Sequence, residues 1–281
     1  MAEVLNQHSQ TILRIKPSKG WMAINFRELW EYRELLGFLT WREVMIRYKQ
    51  AVLGVAWAIL QPLFTVLIFS VIFGRLAKLP SDGIPYPLFS FAALLPWQLF
   101  SGSLTRLGTS LVGNANLITK VYFPRLIIPL SAVGAGVVDF GLAFLVFLGM
   151  MAFYGVKIHL LILLLPFFIL FAVLTSLAVG LWLSALNVQY RDIQHVIPFL
   201  IQAWMYASPV AYSAGLIPSG PWRFIYGLNP MAGVIQGFRW ILLGGNPPDA
   251  LMFASVLMVS ILLISGLFYF RRMERIFADV I

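Results

Sequence analysis

Asp139 is the only acidic residue deep inside the long uncharged stretches of this chain, and Arg106 interrupts another of them near its end. A carboxylate at such depth marks an ion path, a substrate contact or a structural pair, because hydrocarbon does not solvate it. Proton- or sodium-coupled transport needs more ionisable groups than this, and a membrane enzyme needs a second acid or a base. With one acid and no companion, a structural pair with Arg106, or hydrogen bonds to Ser and Thr of neighbouring helices, is the expected role. The chain contains no GxxxxGK[ST] loop, so it does not hydrolyse ATP by that route. It has no HExxH pattern, its three histidines (His8, His159, His195) are scattered, and it has no cysteine. Zinc catalysis, thiolate metal sites and disulfides therefore drop out, and no cofactor is expected in this chain.

Two further sets of side chains have chemistry to offer. Aromatic residues make up 15% of the chain. Trp57, Phe64, Trp97, Phe100, Trp182, Trp204 and Tyr206 could line a sugar path, since indole and phenol faces stack on the apolar faces of pyranose rings; for each one singly, packing or a place in an interfacial belt is the commoner fate. The segment from Asn114 to Arg125 reads Asn-Ala-Asn-Leu-Ile-Thr-Lys-Val-Tyr-Phe-Pro-Arg. Asn114 or Asn116 can cap a short helix there, and Pro124 can end it. Exposed Leu117, Ile118, Val121 and Phe123 on such a helix would invite a partner's groove, unless the segment merely lies on the membrane surface.

The elements that carry these residues follow from hydropathy. With 60% hydrophobic and 11% charged residues, a chain of 281 residues cannot be an ordinary soluble protein. About 20 apolar residues cross a hydrocarbon core, and six runs qualify: 51–74, 88–113, 127–154, 160–186, 193–212 and 250–270. The fold class expected is an all-α polytopic membrane protein that uses nearly the whole chain. Residues 1–50 form a cytosolic or interfacial amphipathic segment, 51–270 the transmembrane domain and 271–281 a cytosolic tail. No early apolar region resembles a cleavable signal peptide. Within the first segment, Asn25 with Glu28 and Thr40 with Glu43 both have capping-box spacing, and Gly37 lies between them. Two short helices with an elbow are expected, with Trp21, Trp30, Tyr32, Trp41 and Tyr48 at headgroup depth.

Residues 213–249 are apolar but broken repeatedly by Gly and Pro, among them Pro218, Gly220, Pro221, Gly227, Pro230, Gly244 and Pro247. A seventh span there would put the basic tail of Arg271, Arg272 and Arg275 outside. Two half-helices dipping back from the outer face fit better and form a candidate outer gate. With six spans, fourteen of the twenty basic residues lie inside, while Arg75, Lys78, Lys157, Arg223 and Arg239 lie outside. Both termini are then cytoplasmic. The net charge of +9 clusters beside spans, which points to lipid headgroups and not to nucleic acid.

The pattern from Asn114 to Leu130, NANLITKVYFPRLIIPL, resembles the coupling-helix region of ABC-2 type exporter permeases. The likeness extends through RYKQAVLGVAWAILQPL (from Arg47), NVQYRDI (from Asn187), YASPV (from Tyr206) and LNPMAGVIQGFR (from Leu228). It is nearest to the subgroup exporting O-antigen, capsular or teichoic polysaccharides, and departs from the family pattern at Gly233. The resemblance implies a bacterial cytoplasmic-membrane permease that works as a homodimer with two copies of a cytosolic ATPase, which would bind the ATP and magnesium. Asn116, Leu117, Ile118, Lys120, Val121, Tyr122 and Phe123 would be the coupling helix, and Tyr190–Asp192 would add contacts. Trp57, Phe64, Trp204 and Tyr206 would border the path. Arg42, Arg47 and Lys49 would hold the diphosphate of a lipid-linked polysaccharide, and Trp222, Pro230 and Arg239 would belong to the outer gate. A drug or small-lipid exporter of the same family and a membrane enzyme acting on lipid-linked sugars are the competing readings.

Overall fold

The computed structural model describes residues 26–49, 55–217, 220–245, 247–248 and 251–277. The loose start at 1–20, Trp21, the Asn25 cap, the opening of the first span at 51–54 and the last residues of the tail lie outside that set. The described residues form helices and loops, with no strand among them. In order they are α1 (Phe26–Glu31), α2 (Arg33–Lys49), α3 (Val55–Phe69), α4 (Tyr86–Gly113), α5 (Ala115–Lys120), α6 (Ile127–Phe153), α7 (Leu165–Gln189), α8 (Ile193–Ala207), α9 (Pro221–Gly227), α10 (Pro230–Leu243) and α11 (Leu251–Met273). A π-helical turn, Ser70–Leu76, extends α3, and a 3-10 turn, Leu160–Leu164, leads into α7.

Among the described residues, four stretches are long and apolar enough to cross a membrane: Ala56–Leu76, Ile127–Phe153, Leu160–Gln189 and Met252–Met273. Helix α4 has 28 residues, but Gln98, Ser101, Ser103, Thr105, Arg106, Thr109 and Ser110 dilute its apolar character. Helix α8 has 15 residues, which reach about 22 Å at the α-helical rise, short of a hydrocarbon core.

Helix α4 is the centre of the bundle. It packs against α6, α7, α10, α8 and α3, and α11 closes on α7 and α10. Glycines set several of these approaches. At Gly237 of α10 a Cβ would fall inside the Phe168 ring of α7, and at Gly180 of α7 it would strike Leu107 of α4. A second apolar cluster gathers at one end of the bundle: Leu39 of α2, Leu111 of α4, Ile118 of α5, Phe123, Ile127 of α6, Val188 of α7, and Phe270 and Phe277 at the close of the described chain. The interface helix, the α4–α6 connection and the end of α11 thus share one face of the molecule.

The N-terminal break differs from expectation. It falls at Tyr32, between α1 and α2, while Gly37 and Thr40 lie within α2. The Thr40 side chain does not start a helix but packs against Gly134 of α6, where an added Cβ would stand 3.0 Å from it. Tertiary packing on α6 overrides the local capping signal.

Candidate functional site

The intramembrane pair is present and larger than the sequence suggested. Arg106 Nη1 donates to Asp139 Oδ2 at 3.0 Å, and Arg106 Nε donates to the Ala132 carbonyl at 3.2 Å. Two groups from α2 join them: Arg47 Nη1 donates to the same carboxylate oxygen, and the Tyr48 hydroxyl donates to Oδ1 at 2.5 Å. Burial first, and then the bond to Asp139, pushes the Tyr48 phenol up to about 12, so it stays a neutral donor at physiological pH. One carboxylate therefore ties α2, α4 and α6 together. Beside it lies a cavity of about 130 Å³, bordered by Arg47, Tyr48, Gln61, Pro62, Gln98 and Asp139. Tyr48 has only the interfacial pattern of an aromatic in the sequence, so nothing there links it to a carboxylate 91 residues away.

The basic residues assigned to an anionic anchor do not converge. Arg42 Nη2 lies 3.1 Å from Glu43 Oε1 and 2.5 Å from Asn114 Oδ1, Arg47 is on Asp139, and Lys49 is exposed on the last turn of α2. Arg42 and Arg47 stand five positions apart on a helix, which points them in different directions.

The short helix α5 sits where the sequence placed it, with three corrections. It ends at Lys120, and Val121 is already extended, so it stops before Pro124 acts. Asn114 occupies the N-cap position without capping: its Oδ1 accepts from Arg42 and its Nδ2 donates to the Ser110 carbonyl at 2.8 Å. Ile118 and Phe123 are buried in this chain's own end cluster. The outward surface consists of Asn116, Thr119, Lys120, Val121 and Tyr122, with Tyr122 59% exposed, while Leu117 is half-buried. The turn at Tyr190, Arg191 and Asp192 is exposed as well. It is held to α4 by buried Asn187, whose Nδ2 donates to the Gly108 carbonyl at 2.8 Å.

Of the four path residues, Trp57 and Phe64 on α3 and Tyr206 on α8 are exposed. Trp204 is not a free aromatic face. Its ring meets Phe100 edge-on at 5.2 Å, and its Nε1 donates to Asn229 Oδ1 at 2.9 Å. Helices α3 and α8 both pack on α4. Along the side of α4 that stays accessible runs a neutral polar row of Gln98, Ser101, Thr105 and Thr109. Spacings of three and four residues put these on one helix face. That periodicity was available in the sequence.

The region broken by Gly and Pro is tightly packed. Trp222 on α9 is exposed, whereas Pro230 opens α10 from a buried position. Arg239 is buried too, at 9% exposure. It donates to the carbonyls of Val210 at 2.9 Å, Tyr212 at 3.0 Å and Phe89 at 3.4 Å, with its guanidinium 3.6 Å from the centre of the Phe89 ring. It therefore staples the non-helical stretch after α8 to α4 and α10 and presents no charge to an opening. Asn229 does similar work. Its Oδ1 caps α10 by accepting from Met231 N at 3.0 Å, and its Nδ2 donates to the Ala207 carbonyl and to Ser208 Oγ, both at 3.0 Å. An Asn directly before a Pro at the first helical position is a helix-start signature. Gly233 faces Ser255 of α11, whose Cβ would lie 2.9 Å from an added Cβ. The small residue lets α10 and α11 meet.

No group of three or more potential metal-binding side chains occurs among the described residues. Residues 34–243 match the ABC-2 type transporter family. The O-antigen export system permease protein RfbA of Myxococcus xanthus is 33% identical over 88% of this chain and 96% of its own length. The protein of the same name from Klebsiella pneumoniae is 30% identical over 88% of this chain and 95% of its own. The polysialic acid transport protein KpsM of Escherichia coli is 24% identical over 73% of this chain and 79% of its own.

Proposed function

The chain belongs to the ABC-2 type transporter family, and we propose that it is the membrane permease subunit of an ATP-driven exporter of lipid-linked polysaccharide. The observation that carries this reading is similarity along 88% of the chain to permeases named for O-antigen export. The chain supplies the passage, and a separate cytosolic ATPase, in two copies beneath a homodimer of this chain, supplies the energy. The bacterial cytoplasmic membrane is its place. Helices α3, α4, α6, α7, α8 and α11 make six crossings, with α8 completed by the irregular residues that follow it and α9–α10 dipping back from the outer face. An even number of crossings is supported by the shared cluster of α2 and the end of α11, and the basic bias of that end makes it cytoplasmic.

The exposed rim of α5, from Asn116 to Tyr122, and the turn at Tyr190–Asp192 then face the ATPase. The chain's path runs beside α4, between the exposed faces of α3 and α8, where Trp57, Phe64 and Tyr206 offer stacking surfaces and the polar row of α4 offers hydrogen bonds to hydroxyls. Lys49 and the accessible faces of Arg42 and Arg47 are the candidates for an anionic lipid anchor at the inner interface. The outer closure rests on Trp222 and on the stretch stapled by Arg239. Depleting the chain in its native cell tests the proposal: surface polysaccharide should be lost while its lipid-linked precursor accumulates on the cytoplasmic face. Unchanged surface polysaccharide with no accumulated precursor would overturn it.

A further inference from the structure

Beyond the packing of Leu39 in the end cluster and of Thr40 on α6, two polar fastenings hold helix α2 to the bundle, and each meets an element that leads elsewhere. At its middle, Arg42 bonds Asn114 at 2.5 Å, and Asn114 is the one residue between α4 and α5. At its end, Arg47 and Tyr48 share the Asp139 carboxylate of α6 with Arg106 of α4. The next helix in the chain is α3, which packs on α4 and α6 and leaves a long apolar face uncovered. Among the described side chains of α3, Pro62, Val66 and Phe69 are buried, so few contacts within this chain restrain it. The cavity bounded by Arg47, Tyr48, Gln61 and Asp139 lies between α2, α3, α4 and α6, so packing does not block a shift there.

We propose that α2 is the strut through which displacement of α5 reaches α3, and that Asp139 is the positioning residue holding its pivot. The claim rests on the exporter reading, since it needs an ATPase that pushes on α5. The two arginines differ in a way that predicts how the pivot fails. Arg106 keeps the Ala132 carbonyl as a second partner, and α6 approaches it closely at Gly136, where a Cβ would stand 2.7 Å from its Nη2. Arg47, with 47% of its side chain exposed, has the carboxylate as its bonded partner among the described contacts. Removing the carboxylate's charge therefore loosens α2 from α6 while α4 and α6 stay joined. The expected defect is lost transmission, not lost folding.

The test uses the full chain with its ATPase in proteoliposomes and in cells. The chain has no cysteine, so spin labels at Ile46 on α2 and Ile68 on α3, both exposed, report their separation cleanly. In the parent protein ATP should change that separation. Asp139→Asn should assemble with the ATPase and hydrolyse ATP near the parent rate, yet export about tenfold less, a normal size for coupling between sites, and show no ATP-dependent change in separation. Asp139→Glu should restore both. Arg47→Gln combined with Tyr48→Phe, which removes both α2 bonds to the carboxylate and leaves Arg106 in place, should repeat the Asn phenotype and decides the matter if the Asn variant does not accumulate. Parent-like export and separation change in the Arg47→Gln, Tyr48→Phe variant, or export that falls only as far as the amount of assembled complex, would overturn the strut while leaving the exporter reading intact. A parent protein that neither binds an ATPase nor exports would remove the exporter reading itself.

Discussion

Replacing Tyr122 and replacing Phe123 should fail in different ways, although the residues are adjacent. Tyr122 is exposed and Phe123 is buried with Ile118 in the end cluster. Tyr122→Asp should leave the amount and thermal stability of the chain unchanged and reduce ATPase recovered with it. Phe123→Asp buries an unpaired charge and should cost several kcal/mol, seen as loss of folded chain from the membrane. Ile118→Ala should cost about 2–5 kcal/mol by the same measure. Asn229→Ala would remove the partner of the Trp204 indole on α8, of buried Ser208 and of the Met231 N–H that opens α10, at about 1–3 kcal/mol for a buried group left unpaired, and should lower the unfolding temperature in detergent. At this scale the sequence was only partly readable. The Asp139–Arg106 pair was accessible because a lone intramembrane acid needs a partner. The additions of Arg47 and Tyr48 were not, because which side of α2 faces α6 is settled by packing at Thr40 and Gly134. The inward turn of Ile118 and Phe123 was hidden for the same reason: apolar residues on a six-residue helix look alike whether they meet a partner or their own chain.

Among the elements, α4 has the most divided character, central in the bundle and yet polar along one accessible line. Single cysteines introduced into this cysteine-free chain separate the two sides. Thr105→Cys and Thr109→Cys should react with a small hydrophilic thiol reagent in the assembled exporter, while Leu104→Cys and Leu107→Cys, fully buried, should not. Equal reactivity, or none on the polar row, would remove that row from the path. Helix positions were largely legible, since uncharged apolar runs fix the long helices to within a few residues. The elbow of the N-terminal segment was expected near Gly37 and falls at Tyr32, because a glycine inside a helix is tolerated where neighbours such as Leu39 and Thr40 pack that helix. The end of α5 was credited to Pro124 although the helix stops at Lys120. In the outer region the sequence marked the breaks at Gly220–Pro221 and Asn229–Pro230 well. It could not reveal that Arg239 turns inward onto carbonyls, since a charged residue near an apolar boundary is equally compatible with water.

The whole molecule is a bundle whose two ends differ. One end is closed by the Asn229 and Arg239 staples. The other gathers α2, α5 and the end of α11 around a common apolar cluster, from which the α5 rim and the Tyr190 turn project. That asymmetry suits a device that receives force at one end and opens at the other. The all-helical membrane class and the family followed from hydropathy and from motifs spread along the chain. The proposed second copy of the chain and the proposed ATPase are properties of an assembly, and one chain's sequence holds them only indirectly. The most direct test is to purify the tagged chain from its native membrane in mild detergent and identify by mass spectrometry what accompanies it. The account predicts an ABC-type ATPase subunit in near-equal amount, lost on Tyr122→Asp. A chain recovered alone, under conditions that preserve other ABC complexes, and turning over lipid-linked sugar by itself would contradict it.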